Sequence, residues 1–486
     1  MSSSLLLFQL GPVQSFIAQA DTLGELRAGS EMLSQLTKAA LLSVIQADNS
    51  ADIVFPDREK NYELKGIPNR FMVYVAEGTA PALAEKAAEA AKAELQSMAD
   101  AAWQDLAVAG DAALHAKYNA QIANFLKTTW AVLEHPTGNV GKDYQAIGKR
   151  MALRRNTREF DAWPETDDGC AKDYRSGQED AIVDGLGALN LIKRHVAEKL
   201  TVPECGDYIA VIAMDGDKMG ASLSAFKEKE EHRAFSRALG EFSNSVPGLL
   251  GEGALSVYAG GDDVLAVVKA TDAVAIARKL SEAFAEALPG KTASAGIAVG
   301  HKTVPLQELV HAAHAAESAA KNTYGRNALA LHIYKRSGEI LKWGCNWDSK
   351  ALEIYSVLTQ LSAYRERLPI TRFPYKLAAL LRPYALDKIG EAGADDCLCD
   401  VILTETLHAV KQTEAIAKLC EPGGFKLQDE ETKLRLDPEV LKSYLTSVKK
   451  RPMDFLNLFM AETFINRPRE DREKWDDNKD QSEEAQ

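Results

Sequence analysis

This 486-residue chain has only six cysteines, few aromatic residues and fewer basic than acidic residues. Scattered cysteines argue against a disulfide framework and fit a reducing compartment. No apolar run spans a bilayer, and the opening Met-Ser-Ser-Ser-Leu-Leu-Leu lacks the basic segment of a signal peptide. We therefore expect a cytoplasmic protein without membrane contact.

Lysine and arginine total 57 against 70 acidic residues, a net charge of −13. Chains that bind nucleic acid over much of their surface usually carry a basic balance, so this charge does not favour extensive nucleic-acid contact. The hydrophobic content of 46% is that of a globular protein. The length is sufficient for three or four domains with sizeable cores.

The most informative motif is Tyr258-Ala259-Gly260-Gly261-Asp262-Asp263. Apolar segments at 255–258 and 264–268 predict two strands, and the glycines allow a tight hairpin between them. Glycines also leave room for a phosphate chain to approach the backbone. The motif therefore predicts a hairpin tip that presents two adjacent carboxylates.

A second acidic turn, Met214-Asp215-Gly216-Asp217, follows a predicted strand at 208–213. Aspartates at two strand ends suit a divalent metal pair, which needs hard oxygen ligands and open positions for substrate phosphates. Either turn taken alone is more simply explained as a solvated turn. Together, with a predicted helix at 222–246 between them, they indicate a palm-type, ferredoxin-like nucleotidyltransferase domain. Helices at 271–288 and 306–322 and strands at 293–299 and 328–334 complete it.

Further motifs occur in the same order along the chain. They are Gly11-Pro12-Val13-Gln14-Ser15-Phe16-Ile17, Ala28-Gly29-Ser30, Met214-Asp215-Gly216-Asp217-Lys218-Met219-Gly220, the Gly-Gly-Asp-Asp turn, Gly325-Arg326-Asn327-Ala328-Leu329-Ala330 and Lys335-Arg336-Ser337-Gly338. This combination resembles the large polymerase-like subunit of type III-B (Cmr-type) CRISPR effector complexes over most of residues 1–340. The resemblance implies an α+β fold with two ferredoxin-like palm domains, of which only the second carries the acidic turn.

The resemblance also implies a domain organisation. Residues 1–135 would form the non-catalytic first palm, with strands at 5–10, 70–75 and 128–133 and helices within 13–47 and over 80–106. A mostly helical linker without a zinc site would follow at 136–200, the catalytic palm at 201–340, a C-terminal helical domain at 341–466 and a disordered tail at 467–486. Helical spacing predicts the C-terminal helices at 351–366, 375–386, 399–420, 439–450 and 452–464.

Two features of the family are missing from this sequence. Many members carry an N-terminal HD nuclease domain, but here the first palm strand begins within a few residues of Met1 and no His-Asp dipeptide occurs. We therefore expect no single-stranded DNase activity. Members commonly carry a four-cysteine zinc site between the palms, where this chain has only Cys170, with Cys205 just after. Cys397 and Cys399 are read as ordinary thiols.

The resemblance implies a Mg²⁺- or Mn²⁺-dependent enzyme that joins ATP units 3′ to 5′ into cyclic oligoadenylate messengers when its complex captures target RNA. Its partners would be the other type III-B subunits, including a small subunit that docks on the helical domain, and the guide and target RNA. Two basic clusters could meet RNA phosphates, although solvated helix faces explain such runs more often. They are Lys142, Lys149, Arg150, Arg154, Arg155 and Arg158, and Arg365, Arg367, Arg372 and Lys376.

Site residues follow from the two acidic turns. Asp215 and Asp262 are the first choices as metal ligands, followed by Asp263 and then Asp217, and the first three would carry catalysis. Predicted nucleotide contacts are Gly216, Gly260, Gly261, Lys335, Gln14 and Ser15. Lys335 is equally explained as a surface residue, and Gln14 and Ser15 as ordinary capping rather than phosphate-binding residues at a helix N-terminus.

Three other functions remain open. An enzyme of the same class would condense ATP with S-adenosylmethionine as a second substrate. A diguanylate cyclase shares the Gly-Gly-Asp turn but needs an Asp-x-Asp-x-Phe-Lys stretch where this chain has Asp215-Gly216-Asp217-Lys218-Met219. A non-catalytic scaffold subunit is the alternative outside the enzyme classes, and the intact acidic turns argue against it.

Overall fold

The computed structural model describes residues 3–56, 67–157, 171–362, 372–389, 393–422, 424–426 and 433–466. The chain divides into two compact units, Met1–Asn327 and Ala328–Gln486. The predicted tail at 467–486, together with Arg158, Cys170, Arg365 and Arg367, lies outside the described residues. No helix in the described part is long and apolar enough to span a membrane.

The first unit opens with a four-stranded antiparallel sheet in the order β2-β3-β1-β4. Its strands are β1 (Ser3–Gly11), β2 (Asp52–Phe55), β3 (Arg70–Ala76) and β4 (Lys127–Leu133). Its helices are α1 (Gln14–Ala18), α2 (Leu23–Ala47), α3 (Ala80–Gln104) and α4 (Ala112–Phe125). The central strand β1 is buried along most of its length, and the apolar run at residues 5–8 together with Leu10 provides most of its buried side chains. This is the order of a ferredoxin-like fold.

Two of these elements, β2 and α4, were not predicted from the sequence. The strand β2 has only four residues, too few for a clear alternation of apolar and polar side chains. By contrast, α2 begins at a capping box, in which Glu25 N–H donates to Thr22 Oγ1 and the Glu25 carboxylate accepts from Thr22 N–H. Such a cap is a local signal that sequence analysis detects.

In its described residues, the connection to the second sheet has a helix at each end. Helix α5 (Val140–Asn156) opens it and α6 (Ala188–Ala197) closes it. Between them, described residues 171–187 form turns and isolated bridges. Buried Asp173 holds these turns together by accepting hydrogen bonds from the backbone N–H groups of Arg175, Ser176 and Gly187. The described residues of the segment predicted as a helical linker are therefore divided between two helices and a series of turns.

The second sheet of the unit repeats the topology of the first, with the order β8-β5-β7-β6. Its strands are β5 (Tyr208–Gly216), β6 (Leu255–Gly260), β7 (Asp263–Lys269) and β8 (Ala293–His301). Its helices are α7 (Met219–Ala225), α8 (Lys229–Leu250), α9 (Ala273–Ala287) and α10 (Leu306–Asn322). The single helix predicted at 222–246 is wrong, because the chain breaks between α7 and α8, where Glu228 and Glu231 form a capping box.

The second unit begins with the antiparallel pair β9 (Ala328–Tyr334) and β10 (Ile340–Asn346). Its helices are α11 (Lys350–Ser362), α12 (Phe373–Leu381), α13 (Asp396–Lys411), α14 (Glu414–Cys420), α15 (Pro438–Ser447) and α16 (Met453–Asn466), with a short pair β11 (Phe425–Lys426) and β12 (Lys433–Leu434). Two predictions are wrong here: β10 was missed, and the helix predicted at 399–420 is divided into α13 and α14. The α+β class with two ferredoxin-like domains is confirmed.

Candidate active site

The Gly-Gly-Asp-Asp motif forms a two-residue hairpin turn between β6 and β7. Gly260 and Asp263 are the last paired residues, so Gly261 and Asp262 form the tip. Gly261 has φ of 74°, a conformation that glycine adopts without the steric cost of a Cβ. Its N–H donates to Ser243 Oγ of α8 at 3.0 Å, and the Ser243 hydroxyl lies 2.8 Å from the Leu239 carbonyl oxygen and 3.1 Å from that of Gly261. The turn is therefore attached to α8 through Ser243.

Three carboxylates meet at this turn. Asp215 on β5 lies directly opposite Asp263 on β7, and opposed residues of an antiparallel pair have Cβ atoms roughly 5 Å apart on one face. Burial is the main cause that raises the pKa of Asp215 to about 6 and that of Asp263 to about 7; repulsion from Asp262 contributes at Asp215, and repulsion from Asp215 contributes at Asp263. Burial also raises the pKa of Asp262. The structure thus concentrates desolvated negative charge at the tip.

One cation faces this charge from α10. Lys321 Nζ donates to Asp215 Oδ2 and, at 2.6 Å, to Glu317 Oε1. Burial opposes protonation of Lys321, but these two hydrogen bonds outweigh it and raise its pKa. Burial alone would raise the pKa of Glu317, yet hydrogen bonds from His314 and Lys321 outweigh it and lower that pKa. Sequence analysis missed all three residues.

Asp217, the second acid of the Asp-Gly-Asp motif, points elsewhere. Its carboxylate accepts hydrogen bonds from Thr292 Oγ1 and Ser294 Oγ, both at 2.8 Å, and from Asn327 N–H at 2.9 Å. It therefore anchors the Gly-Arg-Asn motif to the end of β5. Both oxygens are already engaged, so we leave Asp217 out of the proposed ligand set.

The predicted nucleotide contacts fall in different places. Gln14 and Ser15 open α1, are exposed and line a cleft together with Gly260. Gly216 ends β5, so Asp215 lies in a strand and the turn predicted at Met214-Asp215-Gly216-Asp217 is wrong in that part. A Cβ at Gly216 would come within 3.0 Å of Asp262 Cβ, so glycine allows the end of β5 to approach the hairpin tip. Lys335 lies in the second unit, where its Nζ is 2.9 Å from the Glu339 carboxylate.

The cleft has a volume of about 2190 Å³ and both palms contribute to its wall. From the first palm come α1, part of α2 and the β1 end. From the second come residues 256–260 and Asp263 of the acidic hairpin, with Ser243 and Asn244 of α8. Pockets for drug-sized ligands measure roughly 300–1,000 Å³. The cleft is therefore large enough for more than one nucleotide, with Asp263 at its wall.

Glu179 lines another wall of this cleft, and the raised pKa of its carboxyl gives the stability of the fold an expected pH dependence. Burial raises its pKa to about 7, and the nearby Asp173 carboxylate adds to the shift. A carboxyl with a raised pKa in the folded state stabilises the fold fully below its unfolded pKa of about 4.3 and loses that stabilisation as pH rises through about 7.

We therefore expect Glu179→Gln, which mimics the protonated acid, to be more stable than the parent at pH 8 by about 1–2 kcal/mol and nearly equal to it at pH 4.5. Urea unfolding of both proteins across this range measures the effect. Glu198→Gln, at an exposed position after α6, is the matched control and should show no such pH dependence. An equal response of the two variants would contradict the assignment.

A divalent metal ion needs several hard oxygen donors close together. Within the described residues, no three His, Cys, Asp or Glu side chains already form a metal-binding group. Yet Asp215, Asp262 and Asp263 are hard oxygen donors, and burial raises the pKa of each of them even though Lys321 contacts Asp215. These three residues fit Mg²⁺ or Mn²⁺ by chemistry. Cys205 is buried as a free thiol.

The sequence of α10 contains a local signal for Glu317 and Lys321, two of the site residues that sequence analysis missed. Glu317 and Lys321 are four residues apart on a helix whose remaining inward positions are mostly alanine or leucine. An acid and a lysine at this spacing share a helix face, and here they interrupt an otherwise apolar one. The signal predicts an ion pair, but not that the pair meets β5.

Two family models match this chain. The model for the N-terminal domain of the CRISPR-associated protein Cmr2 matches residues 5–108, and the model for the second palm domain of Cas10/Cmr2 matches residues 208–330. The chain therefore carries two domains of the Cas10/Cmr2 type. The resemblance inferred from the motifs is confirmed, and the acidic hairpin lies within the second palm domain.

A similar protein is the CRISPR system Cmr subunit Cmr2 of Pyrococcus furiosus, which is 32% identical over 174 residues. The alignment covers 29% of this chain and 20% of that protein. This Cas10/Cmr2 chain therefore matches about a fifth of the length of the curated relative.

Solved structures show the same fold at low sequence identity. A type III-B Cmr-beta structure in the apo state matches with a TM-score of 0.62 at 9% identity, covering 96% of this chain and 82% of that one. A Csm1–Csm4 cassette in complex with AMPPNP matches with a TM-score of 0.52 at 14% identity, covering 96% and 70%.

Proposed function

We propose that this Cas10/Cmr2 chain is the nucleotidyltransferase of a type III-B CRISPR effector complex and converts ATP into cyclic oligoadenylates by 3′–5′ transfer. The observation that carries the proposal is the set of three desolvated carboxylates, Asp215, Asp262 and Asp263, at the end of a palm sheet beside a nucleotide-sized cleft. Its proposed partners are the other subunits of that complex, including the small subunit, with guide RNA and target RNA.

Ligands of similar folds support the choice of substrate. Csm1–Csm4 cassettes have been solved with AMPPNP, with pppApApA and with cA4. An ATP analogue, a linear oligoadenylate and a cyclic product thus bind to proteins with this fold. The cleft here is wide enough to hold adenosine nucleotides at both palms.

The metal-binding residues would be Asp215, Asp262 and Asp263. Bound Mg²⁺ or Mn²⁺ would lower the pKa of the attacking 3′-hydroxyl and neutralise charge on the leaving pyrophosphate. Gly216 allows the end of β5 to approach the hairpin tip, and Ser243 positions that tip by accepting a hydrogen bond from Gly261 N–H. Positioning of this kind accounts for much of the rate enhancement in phosphoryl transfer.

Lys321 has a second role in this proposal. In the structure its ammonium bridges Asp215 and Glu317. A lysine is a compact charge on a flexible stem, so Lys321 can turn from Asp215 towards a phosphate oxygen while Glu317 retains it. The first palm contributes the exposed Gln14 and Ser15 to the opposite wall of the cleft.

The test is product analysis by mass spectrometry. The purified complex is incubated with target RNA, ATP and Mg²⁺, with and without S-adenosylmethionine, and GTP replaces ATP in a parallel sample. We expect cyclic oligoadenylates that require only ATP and target RNA. A mixed adduct with S-adenosylmethionine would select the alternative acceptor, and a product from GTP alone would favour a diguanylate cyclase. No product under any condition would contradict the proposal and favour a scaffold.

A further inference from the structure

The turns between α5 and α6 direct several oxygen atoms towards one point beside Gly187. A Cβ at Gly187 would lie 3.1 Å from both Gln121 Oε1 and Glu179 Oε2 and 3.2 Å from Asp173 Oδ2. Two of these oxygens belong to carboxylates of the turns, and the third belongs to the side-chain amide of Gln121 on α4. Side chains from two separate segments therefore place oxygen atoms around the same small space.

Asn190 of α6 adds a fourth oxygen, which has no hydrogen-bond partner. The residue is 2% exposed, and its Nδ2 donates to Asp173 Oδ2 at 2.9 Å. A carboxylate only accepts hydrogen bonds, so the amide nitrogen must face Asp173 and Oδ1 is the atom left unpaired. Such buried atoms destabilise a fold and are uncommon. Since Asn190 and Glu179 line the same part of the cleft wall, Oδ1 marks a position in this oxygen cluster that a ligand completes.

The two carboxylates of the cluster have no cation beside them. In the described part of the chain, no lysine or arginine pairs with Asp173 or Glu179. The nearby Lys193 ammonium donates to two backbone carbonyl oxygens of the first palm, and Lys117 pairs with Asp180. The cluster therefore holds negative charge that the protein itself does not neutralise.

The turns around this cluster have little apolar core. Between residues 171 and 187 only Ile182 and Leu186 are buried apolar side chains, and the segment forms turns and isolated bridges. Small segments without a sufficient core are often stabilised by a bound metal ion. An ion at this point would join the turns to α4 and α6.

Backbone groups of α6 fix two of the oxygens in place. Gly187 N–H donates to Asp173 Oδ2 at 2.6 Å, and Ala188 N–H donates to Gln121 Oε1 at 2.8 Å. Hydrogen bonds of this kind orient the ligands of a metal ion. The donor atoms are thus held in position before any ion binds.

The chemistry of the donors defines the class of ion. Two carboxylates and two amide oxygens, with no sulfur or nitrogen donor, suit a hard divalent cation and not zinc. Ca²⁺ accepts carboxylate and amide oxygens together with water, and Mg²⁺ keeps several water ligands. Water can complete the coordination of either ion from the cleft, which Glu179 and Asn190 line.

We propose that Asp173, Glu179, Asn190 and Gln121 form a structural site for a hard divalent cation, Ca²⁺ or Mg²⁺, which stabilises the connection between the two palms. The site uses none of the residues of the acidic hairpin. It therefore goes beyond the proposed function and does not depend on nucleotidyl transfer.

Thermal unfolding of the purified full-length chain tests the proposal. Every protein carries Asp262→Ala and Asp263→Ala, so that ions at the acidic hairpin do not contribute. After treatment with EDTA and dialysis, Ca²⁺ and Mg²⁺ are added separately at pH 8, where the Glu179 carboxyl is ionised. We expect at least one ion to raise Tm by about 5 °C at roughly a hundredfold excess over its Kd. Titration calorimetry should give one ion per chain, and the lower Kd identifies the preferred ion.

Two substitutions should remove this response for different reasons. Glu179→Gln removes one of the two charges, and ligand charge sets the affinity of such sites, so the Kd should rise at least about tenfold. Gly187→Ala places a methyl group among three of the oxygens and should raise the Kd by a similar factor. In EDTA at pH 8, Glu179→Gln should be more stable than the parent, and saturating cation should reverse that order.

Each substitution has a matched control. Glu198→Gln removes a carboxylate at an exposed position, and Gly148→Ala adds a Cβ that meets nothing within 4 Å. Both controls should keep the full shift in Tm. Unfolding in EDTA identifies any variant that fails to fold, and the nearly isosteric Glu179→Gln keeps the test decisive if Gly187→Ala does so.

The outcomes are separate from those of the product analysis. No shift with either ion would overturn the inference and would mean that Asn190 Oδ1 binds only water. A shift that Glu179→Gln retains in full would also overturn it and would indicate an adventitious ion only. Loss of the shift in Glu179→Gln, with both controls unchanged, would support the site even if the complex makes no cyclic oligoadenylate.

Discussion

Replacing Asp262 and Asp263 together with alanine is expected to lower cyclic oligoadenylate synthesis at least about a hundredfold, the scale of losing one electrostatic stabiliser of a transition state. The change removes two of the three carboxylates that would hold the metal ion, and phosphoryl transfer depends on such ions for positioning and charge neutralisation. Product formed per minute by the purified complex, with target RNA, ATP and Mg²⁺, measures the effect.

The same double variant should fold and assemble as the parent does. Asp263 accepts hydrogen bonds from Tyr258 Oη at 3.1 Å, and losing that acceptor costs about 1 kcal/mol. Relief of repulsion among Asp215, Asp262 and Asp263 offsets this cost. Thermal unfolding and target-RNA binding test the expectation.

Glu286→Ala, at an exposed position on α9, is the control for removing a carboxylate from the same palm. It should leave synthesis at the parental rate. Near-parental synthesis by the Asp262/Asp263 double variant would mean that the hairpin is only a solvated turn and that catalysis occurs elsewhere.

Gly296→Ala is expected to destabilise the second palm by about 3 kcal/mol. A Cβ at Gly296 on β8 would lie 2.0 Å from Glu317 N and 2.3 Å from the Ala313 carbonyl oxygen. Both atoms belong to the backbone of α10, so no side chain can turn aside and the whole helix must move. Urea unfolding of the purified chain measures the loss.

The matched control is Gly240→Ala in α8, where a new Cβ meets nothing within 4 Å. Replacing glycine by alanine at such a helix position should stabilise the protein by about 0.5–1 kcal/mol. The two substitutions are chemically identical and should have effects of opposite sign. A Gly296→Ala variant within about 0.5 kcal/mol of the parent would show that α10 does not pack against β8 as described.

Much of the second palm was predictable because its signals are local. The apolar runs of β5 and β7, the glycines of the hairpin and the alanine spacing of α10 each determine structure within a few residues. The bounds predicted for α10 and β9 agree with those observed. Strand β10 was missed because the sequence after Lys335 carries turn residues and then reads as the start of a helical region.

The different contacts of Asp215 and Asp217 in the Asp-Gly-Asp motif could not be predicted from the sequence. Asp215 faces Asp263 across two strands, whereas Asp217 is bound by Thr292, Ser294 and Asn327, which lie 75 to 110 residues away in sequence. No local sequence pattern predicts where β5 ends or which side chains of β8 contact Asp217. The ion pair of Asp215 with Lys321 likewise depends on contacts between distant elements.

The bridge formed by Lys321 has a consequence for the protein when metal is scarce. Because its ammonium contacts both Asp215 and Glu317, the palm carries a built-in countercharge and does not depend on Mg²⁺ to offset the repulsion at that point. In the proposed mechanism an arriving ion would take the place of the lysine at Asp215. We therefore expect chelation to stop the proposed synthesis reversibly and to leave the fold unchanged.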